Sequence, residues 1–312
     1  MRALIIGGAG FVGYYLINHL INDCKWTVAA TKLNSEKIDN DNITIYNLDI
    51  LDKQAITTVL NEFRPDYIFH LAAQSSVSLS WKNPSLTIDV NIKGSVNVLD
   101  GIRDLDYNPR ILLIGSGEEY GYISPDEIPI IEENNLRPGN IYAATKACQS
   151  MIGKIYADAY HMDIIMVRAF NHIGPKQSPL FVVSDFCKQV AEIEKGLKLP
   201  VINVGNLNAK RDFTDVRDVV RAYSLIIQKG LSGETYNVGS GKSIAIKDLL
   251  DMIILQSFTK INIESDQDKL RPVDIPVIEA NTDKIHNITH WSPKYLLDST
   301  IKDTLNYWRK MI

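Results

Sequence analysis

Cysteine is scarce in this chain: Cys24, Cys148 and Cys187 are the only three in 312 residues, odd in number and widely spaced. Such a set builds neither a disulfide framework nor a zinc knuckle, and the three read as small core or helix-face residues. Long apolar runs are missing too. The longest are of strand size, which excludes a membrane-spanning helix. Met1 leads straight into Ala3-Leu4-Ile5-Ile6 without the basic, apolar and small-residue segments of a secretory leader, so a cytoplasmic protein is expected. Charge of one sign is not in excess either: 33 basic residues stand against 37 acidic ones, a net of −4. That balance supplies no general attraction for nucleic acid. Repeats, low-complexity tracts and charge blocks do not occur. What remains is a chain with an ordinary 45% hydrophobic share, long enough for one large α/β domain with a smaller lobe.

The start of the chain carries a pattern of its own. Arg2 to Ile6 is strand-length and apolar, Gly7-Gly-Ala-Gly10-Phe11-Val12-Gly13 turns out of it, and an apolar helix follows from Tyr14 to Ile21. Glycines at such a turn let the backbone approach closely and bring helix-start N–H groups against a pyrophosphate. The spacing Gly7-x-x-Gly10-x-x-Gly13 departs from G-x-G-x-x-G. A second strand, Trp26 to Thr31, should end at the ribose of a bound dinucleotide, where an acid binds a 2′-hydroxyl and a cation a 2′-phosphate. Thr31 and Lys32 stand there, which favours NADP(H) and leaves NAD(H) possible. Ile43 to Tyr46 reads as a third strand, and Asp49 beyond it could serve a ligand or cap the next helix. Tyr67 to Ala73 is a fourth, ending in Leu71, Ala72 and Ala73, small enough for a flat ring to pass. His70 within it reads as a core histidine.

A helix is expected from about Pro84 to Asp104, then a fifth strand, Ile111 to Ser116, ending in a hydroxyl. The alternation argues for a doubly wound parallel sheet. Next comes Tyr142-Ala-Ala-Thr-Lys146. Four residues apart on a helix, the two side chains share a face, and an ammonium beside a phenol favours the phenolate, making the pair a usable general acid/base. Fourteen tyrosines yield roughly one such spacing by accident, so the pair draws its meaning from its surroundings. Between strand and helix, residues 123–140 include Pro125, Pro129 and Pro138, which suits an ordered lid. A sixth strand runs from Met162 to Arg168, and Thr214 to Lys229 is a helix capped by Asp215. Glu234 to Gly239 returns as a strand, and Ile246–Leu255 and Tyr295–Trp308 read as covering helices. His286 and His290 have the i, i+4 spacing of a metal pair, but no third ligand motif accompanies them, so a solvated helix face and no metal are expected. Arg211 and Arg271, brought together from distant sequence, could clamp a diphosphate through charge-assisted forks.

The glycine pattern, the order Ser116, Tyr142, Lys146, and Phe170-Asn-His-Ile-Gly-Pro175 together resemble the extended branch of the short-chain dehydrogenase/reductase superfamily that acts on nucleotide sugars. The resemblance covers essentially the entire chain. Val204 to Asp215 is similar to the GDP-sugar members, the GDP-mannose 4,6-dehydratases and the GDP-4-keto-6-deoxymannose reductases. It implies a Rossmann-type fold, with residues 1–170 and about 213–242 binding the dinucleotide and residues 171–212 and 243–312 forming the nucleotide-sugar lobe. It also implies cofactor contacts from Gly7, Gly10, Phe11, Val12, Gly13, Thr31, Lys32, Asp49, Ile50, Leu71, Ala72, Ala73, Tyr142 and Lys146. Ser116 would hold the substrate oxygen that Tyr142 protonates. Ser75, Glu118, Asn171, Val182, Arg211, Arg271 and Asp274 would line the GDP-sugar site. Asn91 and Gly94 match the superfamily's Asn-x-x-Gly helix, whose asparagine supports the site through backbone contacts. Glu118 stands where dehydratases carry an acid for water loss, or is a solvated loop carboxylate. Asp185 replaces a dehydratase lysine, which with the short chain favours a reductase. The implied reaction is NADPH-dependent reduction of a GDP-4-keto-6-deoxyhexose to GDP-rhamnose, ahead of 4,6-dehydration, 4-epimerisation and a non-catalytic dinucleotide sensor. The relatives also imply a homodimer through the helices at Pro84–Asp104 and Tyr142–Tyr160.

Overall fold

A computed structural model describes residues 1–269 and 275–312. The chain opens as expected from its pattern: β1 (Arg2–Ile6), α1 (Phe11–Asn22), β2 (Thr27–Lys32), β3 (Thr44–Asn47), α2 (Lys53–Phe63) and β4 (Tyr67–His70). Then come α3 (Val77–Lys82), α4 (Pro84–Ile88), α5 (Ser95–Arg103), β5 (Arg110–Ser116), α6 (Ile141–Tyr160) and β6 (Ile164–Ala169). The long helix expected from Pro84 is one in space but not in winding, because Asp89–Gly94 between α4 and α5 is a π-helical turn. Extra-wide turns of this kind are common at functional sites. This one lets Asn91 reach sideways: its amide brackets the backbone of Gln74, accepting from N at 2.8 Å and donating to O at 3.0 Å, and also donates to Thr145 Oγ1 at 3.0 Å.

The second half runs β7 (Asn171–Ile173), α7 (Val182–Glu194), β8 (Val201–Val204), β9 (Lys210–Asp215), α8 (Val216–Lys229) and β10 (Thr235–Val238). It closes with β11 (Ser243–Ala245), α9 (Ile246–Ile254), β12 (Asn262–Ser265), β13 (Val277–Ile278), α10 (Asp283–Thr289) and α11 (Leu297–Met311). Among the described residues, seven parallel strands pair in the order β3-β2-β1-β4-β5-β6-β10. Both faces are covered, as a parallel sheet requires. One face packs on α1, α8 and Trp291, the other on α2, α5 and α6. Strand order reverses between β1 and β4, the place where such sheets bind ligands at their carboxyl ends.

A smaller unit grows from the strands that leave this sheet. β9 pairs with β7, β11 and β13, and β8 with β12. α7, α9 and α11 enclose a separate core containing Val183, Phe186, Leu249 and Leu305. Ile285 and Trp291 lie within 243–312, the range assigned to the sugar lobe, yet both are buried in the large-sheet core against α8. The C-terminal segment therefore crosses back before α11 rejoins the lobe. No helix among the described residues is long and apolar enough to cross a membrane.

Candidate active site

One cavity of about 580 Å³ lies along the carboxyl ends of β1, β2, β4, β5 and β6 and continues under the start of α7. Gly7, Gly10, Phe11, Val12 and Gly13 line it, as do Thr31, Lys32, Asp49, Ile50, Leu71, Ala72 and Ala73. At its other end stand Ser75, Ser116, Glu118, Tyr142, Lys146, Asn171 and Val182. Arg271 and Asp274 lie outside the described residues. Arg211 departs from expectation. It is 6% exposed, does not line the cavity, and donates to the carbonyls of Lys210 and Ile275 at 2.8 and 2.7 Å.

The glycine end is shaped by what it leaves out. Gly7 has φ +86°, and a Cβ there would stand 2.7 Å from the Ala72 backbone. A Cβ on Gly13 would stand 2.3 Å from the Gly8 carbonyl oxygen. Both contacts are impossible for a side chain, so β1, the turn and α1 close up only with glycine. Gly10 differs: a Cβ would meet nothing nearer than Gly7 O at 3.7 Å, so glycine there keeps the cavity clear above the helix start. Gly10 caps α1 without a side chain and the first turn has no acid, leaving N–H groups and the positive end of the dipole facing the cavity. These residues fit a dinucleotide pyrophosphate. At the ribose end Thr31 Oγ1 accepts from Gly7 N at 3.1 Å, while Lys32 Nζ donates to Asn47 Oδ1 at 2.7 Å. Asp49 does not cap α2. Asp52 does, accepting from the N–H groups of Gln54 and Ala55.

At the opposite end, the start of α6 is placed by Asn140, which caps Ala143 N at 2.8 Å and donates through Nδ2 to Glu118 Oε2 at 3.2 Å. Glu118 is thus held at the cavity wall. A Ser116 hydrogen bond pulls the Tyr142 phenol down, but burial dominates and the Glu118 and Glu119 carboxylates add to it, so its pKa is raised. The expected partnership with Lys146 needs correction. Lys146 shares the cavity, yet its Nζ donates to Gln149 Oε1 at 2.7 Å, and burial brings the ammonium down to about 8 against the upward pull of Glu119. Burial thus raises the Tyr142 pKa, and Lys146 is engaged by Gln149.

Some residues of this wall carried no sequence signal. His172 and Gln177 line the cavity, and so does Tyr223, which reads as an apolar-face residue of α8. Gln177 Nε2 donates to His172 O at 2.8 Å, leaving Oε1 buried without a partner, as is the Tyr223 hydroxyl. Glu119, neighbour of Glu118, is fully buried. His70 is a core histidine as expected, with Nε2 against Ser95 Oγ at 3.0 Å. His286 and His290 are exposed at the end of α10. Residues 123–140 form an ordered loop, in which Glu127 accepts from Ser124 N and pairs with Arg137 at 2.6 Å and Ile130 is buried, but none of these residues lines the cavity.

A family model described as GDP-mannose 4,6 dehydratase matches residues 4–304. The chain is similar to the GDP-6-deoxy-D-mannose reductase of Pseudomonas aeruginosa, with 27% identity over 100% of this chain and 98% of that protein. It is also similar to the dTDP-glucose 4,6-dehydratase of Salmonella typhimurium, with 28% identity over 99% and 92%. Among solved structures, RMD from Pseudomonas aeruginosa complexed with NADPH matches with TM-score 0.89 and 27% identity, covering 100% of this chain and 99% of that one. The Thermus thermophilus UDP-glucose 4-epimerase complexed with NAD has the same TM-score, 0.89, and the same identity, 27%, over the whole of both chains.

Proposed function

We propose, for a chain that belongs to the GDP-mannose 4,6-dehydratase family, that it is an NADPH-dependent reductase converting the C4 keto group of GDP-4-dehydro-6-deoxy-D-mannose to the hydroxyl of GDP-D-rhamnose. Its similarity to reductases, epimerases and dehydratases at 27–28% identity supports a nucleotide-sugar oxidoreductase of the short-chain type. The observation that favours the finer reading is that Ser116, Tyr142 and Lys146 share one cavity in a chain similar over its full length to a GDP-6-deoxy-D-mannose reductase. Reduction needs a proton donor at the sugar oxygen. Dehydration and epimerisation begin by oxidising the sugar and use such a phenol as the base, so they differ from reduction in the fate of the cofactor hydride.

In this reading a bound NADPH supplies the hydride. Gly10 and the start of α1 hold its pyrophosphate, and Lys32 favours a 2′-phosphate. Ser116 donates to the substrate carbonyl oxygen and Tyr142 delivers the proton as charge develops on that oxygen, with the Lys146 ammonium adding positive charge to the same cavity. Ser75, Asn171 and Val182 face the sugar nucleotide.

Glu118 favours a second reading, GDP-mannose 4,6-dehydratase, because it lines the cavity beside Tyr142 and could move the proton that water loss requires. The two reactions separate cleanly. The purified protein should oxidise NADPH in proportion to added GDP-4-dehydro-6-deoxy-D-mannose, with GDP-rhamnose identified by NMR. A 4-keto product from GDP-mannose without added reductant would establish the dehydratase instead. Glu118→Gln should then abolish that activity, whereas a reductase should retain most of its turnover. We also infer a homodimer in the cytoplasm, joined through α4–α5 and α6. Ile88, Met151 and Ile155 are 46, 60 and 58% exposed on those helices, and sedimentation should report twice the chain mass.

A further inference from the structure

We propose that Glu119 is a positioning residue of this site, holding the backbone of Ser116 and placing a fixed negative charge behind Lys146. The inference rests on the reading of Ser116, Tyr142 and Lys146 as the reacting wall. Glu119 is 0% exposed. Its Oε1 accepts from Ser116 N at 2.8 Å, and its Oε2 accepts from Ser150 Oγ at 2.9 Å and from Arg168 Nε at 3.0 Å. Room for the carboxylate is built into β5, since a Cβ on Gly115 would fall 2.2 Å from Oε1.

The charge is anchored from behind. Arg168 donates through Nη1 to Tyr120 Oη at 2.9 Å and to Glu132 O at 3.0 Å. Tyr120 Oη in turn donates to Asn237 Oδ1 at 2.7 Å, and Asn237 Nδ2 donates to Ile130 O at 2.9 Å. One buried network thus joins the end of β5 to β6, β10 and the 123–140 loop. A buried ion pair contributes little net stability compared with apolar packing, yet leaves a large penalty when halved, and a connected network resists rearrangement. Its retention directly beneath Ser116 is what a positioning role requires.

The groups around Lys146 let that role be read. From β4 comes His70, neutral through burial. The turn after β5 supplies Glu118 and Glu119, β6 supplies Arg168 behind Glu119, and α8 supplies the uncharged Tyr223 phenol. Tyr142 and Gln149 come from α6 itself. Ser150, one turn beyond Lys146 on the same face of α6, donates to Glu119 Oε2, which sets that carboxylate on the Lys146 side of the helix, where its charge pulls the ammonium upward.

The test is Glu119→Gln, which keeps an oxygen for Ser116 N and removes the charge. Protein labelled with ¹³C at lysine Cε is titrated by NMR, with the Lys146 resonance identified by its loss in Lys146→Met. We expect the Lys146 midpoint to fall from about 8 by on the order of one pH unit, and the corresponding limb of kcat/KM to move to lower pH with it. A folded variant whose Lys146 midpoint and kcat/KM limb are both unmoved overturns the proposal, because the carboxylate would then act on neither the amine nor the reaction. If Arg168 without its counter-charge prevents folding, Glu119→Gln is made together with Arg168→Met and its Lys146 midpoint is compared with that of Arg168→Met alone, so that the difference still reports the Glu119 charge. The titration needs no substrate, so inactivity of the wild-type protein toward every keto sugar would end the reductase reading without deciding this one.

Discussion

The two long walls of the cavity are made on opposite principles. Residues 7–13 work by leaving atoms out: Gly13 admits the Gly8 carbonyl and Gly10 keeps the helix start open. The facing wall, Ser116 to Glu119 with α6 and Arg168, works by enclosing polar groups and satisfying them from one another. The first wall is steric and indifferent to pH, so damage to it should appear in binding. The second is electrostatic, so damage there should appear in turnover and in pH dependence.

The sharpest way to break this contrast is Tyr142→Phe. It should lower kcat by the roughly 10²–10⁴-fold typical of a lost general acid while NADPH fluorescence titration gives an unchanged Kd. Loss of binding in that variant would contradict the division between the walls. Gly13→Ala, on the other side, should weaken NADPH binding at least tenfold and cost about 1–3 kcal/mol in a thermal melt, the usual penalty of overpacking.

His70 extends the contrast to stability. Burial presses its imidazole down to about 3 from an ordinary 6.5, so between those limits the unfolded chain binds a proton that the folded one refuses. Its contribution is complete above about pH 6.5 and is lost on acidification, at about 1.4 kcal/mol per unit toward pH 3. His70→Gln should flatten the pH dependence of denaturant unfolding in that window, and an unchanged slope would show that another group sets it. The smallest effect belongs to the half-buried Lys32. Lys32→Ala should weaken NADPH binding roughly fivefold and leave NADH binding alone, as expected for one partly screened phosphate contact.

Much of the fold was legible because it is local. Strand β1, the glycine turn and α1 follow one another within 22 residues, and each carries its own periodicity and punctuation. Asp215 was readable as a cap because capping depends on residues two and three positions away, and it does accept from Arg217 N. The π-helical turn at Asp89–Gly94 was not readable, since its cause is a pair of distant partners, Gln74 and Thr145. Arg211 was not placed by its type: an arginine beside a strand end suggests a phosphate contact, and the structure shows it donating to the carbonyls of Lys210 and Ile275. Glu118 and Glu119 make the same point within one dipeptide. Nothing in their adjacency says that one carboxylate faces a cavity and the other lies buried on an arginine 49 residues further along.

The sequence alone thus determined the alternation of strands and helices and the glycine turn at the first strand, because each depends on residue type at short separation, and it offered the candidate side chains of the site. The tertiary structure decided which of them meet. It turned Lys146 toward Gln149, raised the Tyr142 pKa through burial and sank Glu119 against Arg168. Burial, and the partners found at the end of a long loop of chain, set the charge of a side chain more strongly than its neighbours in sequence do.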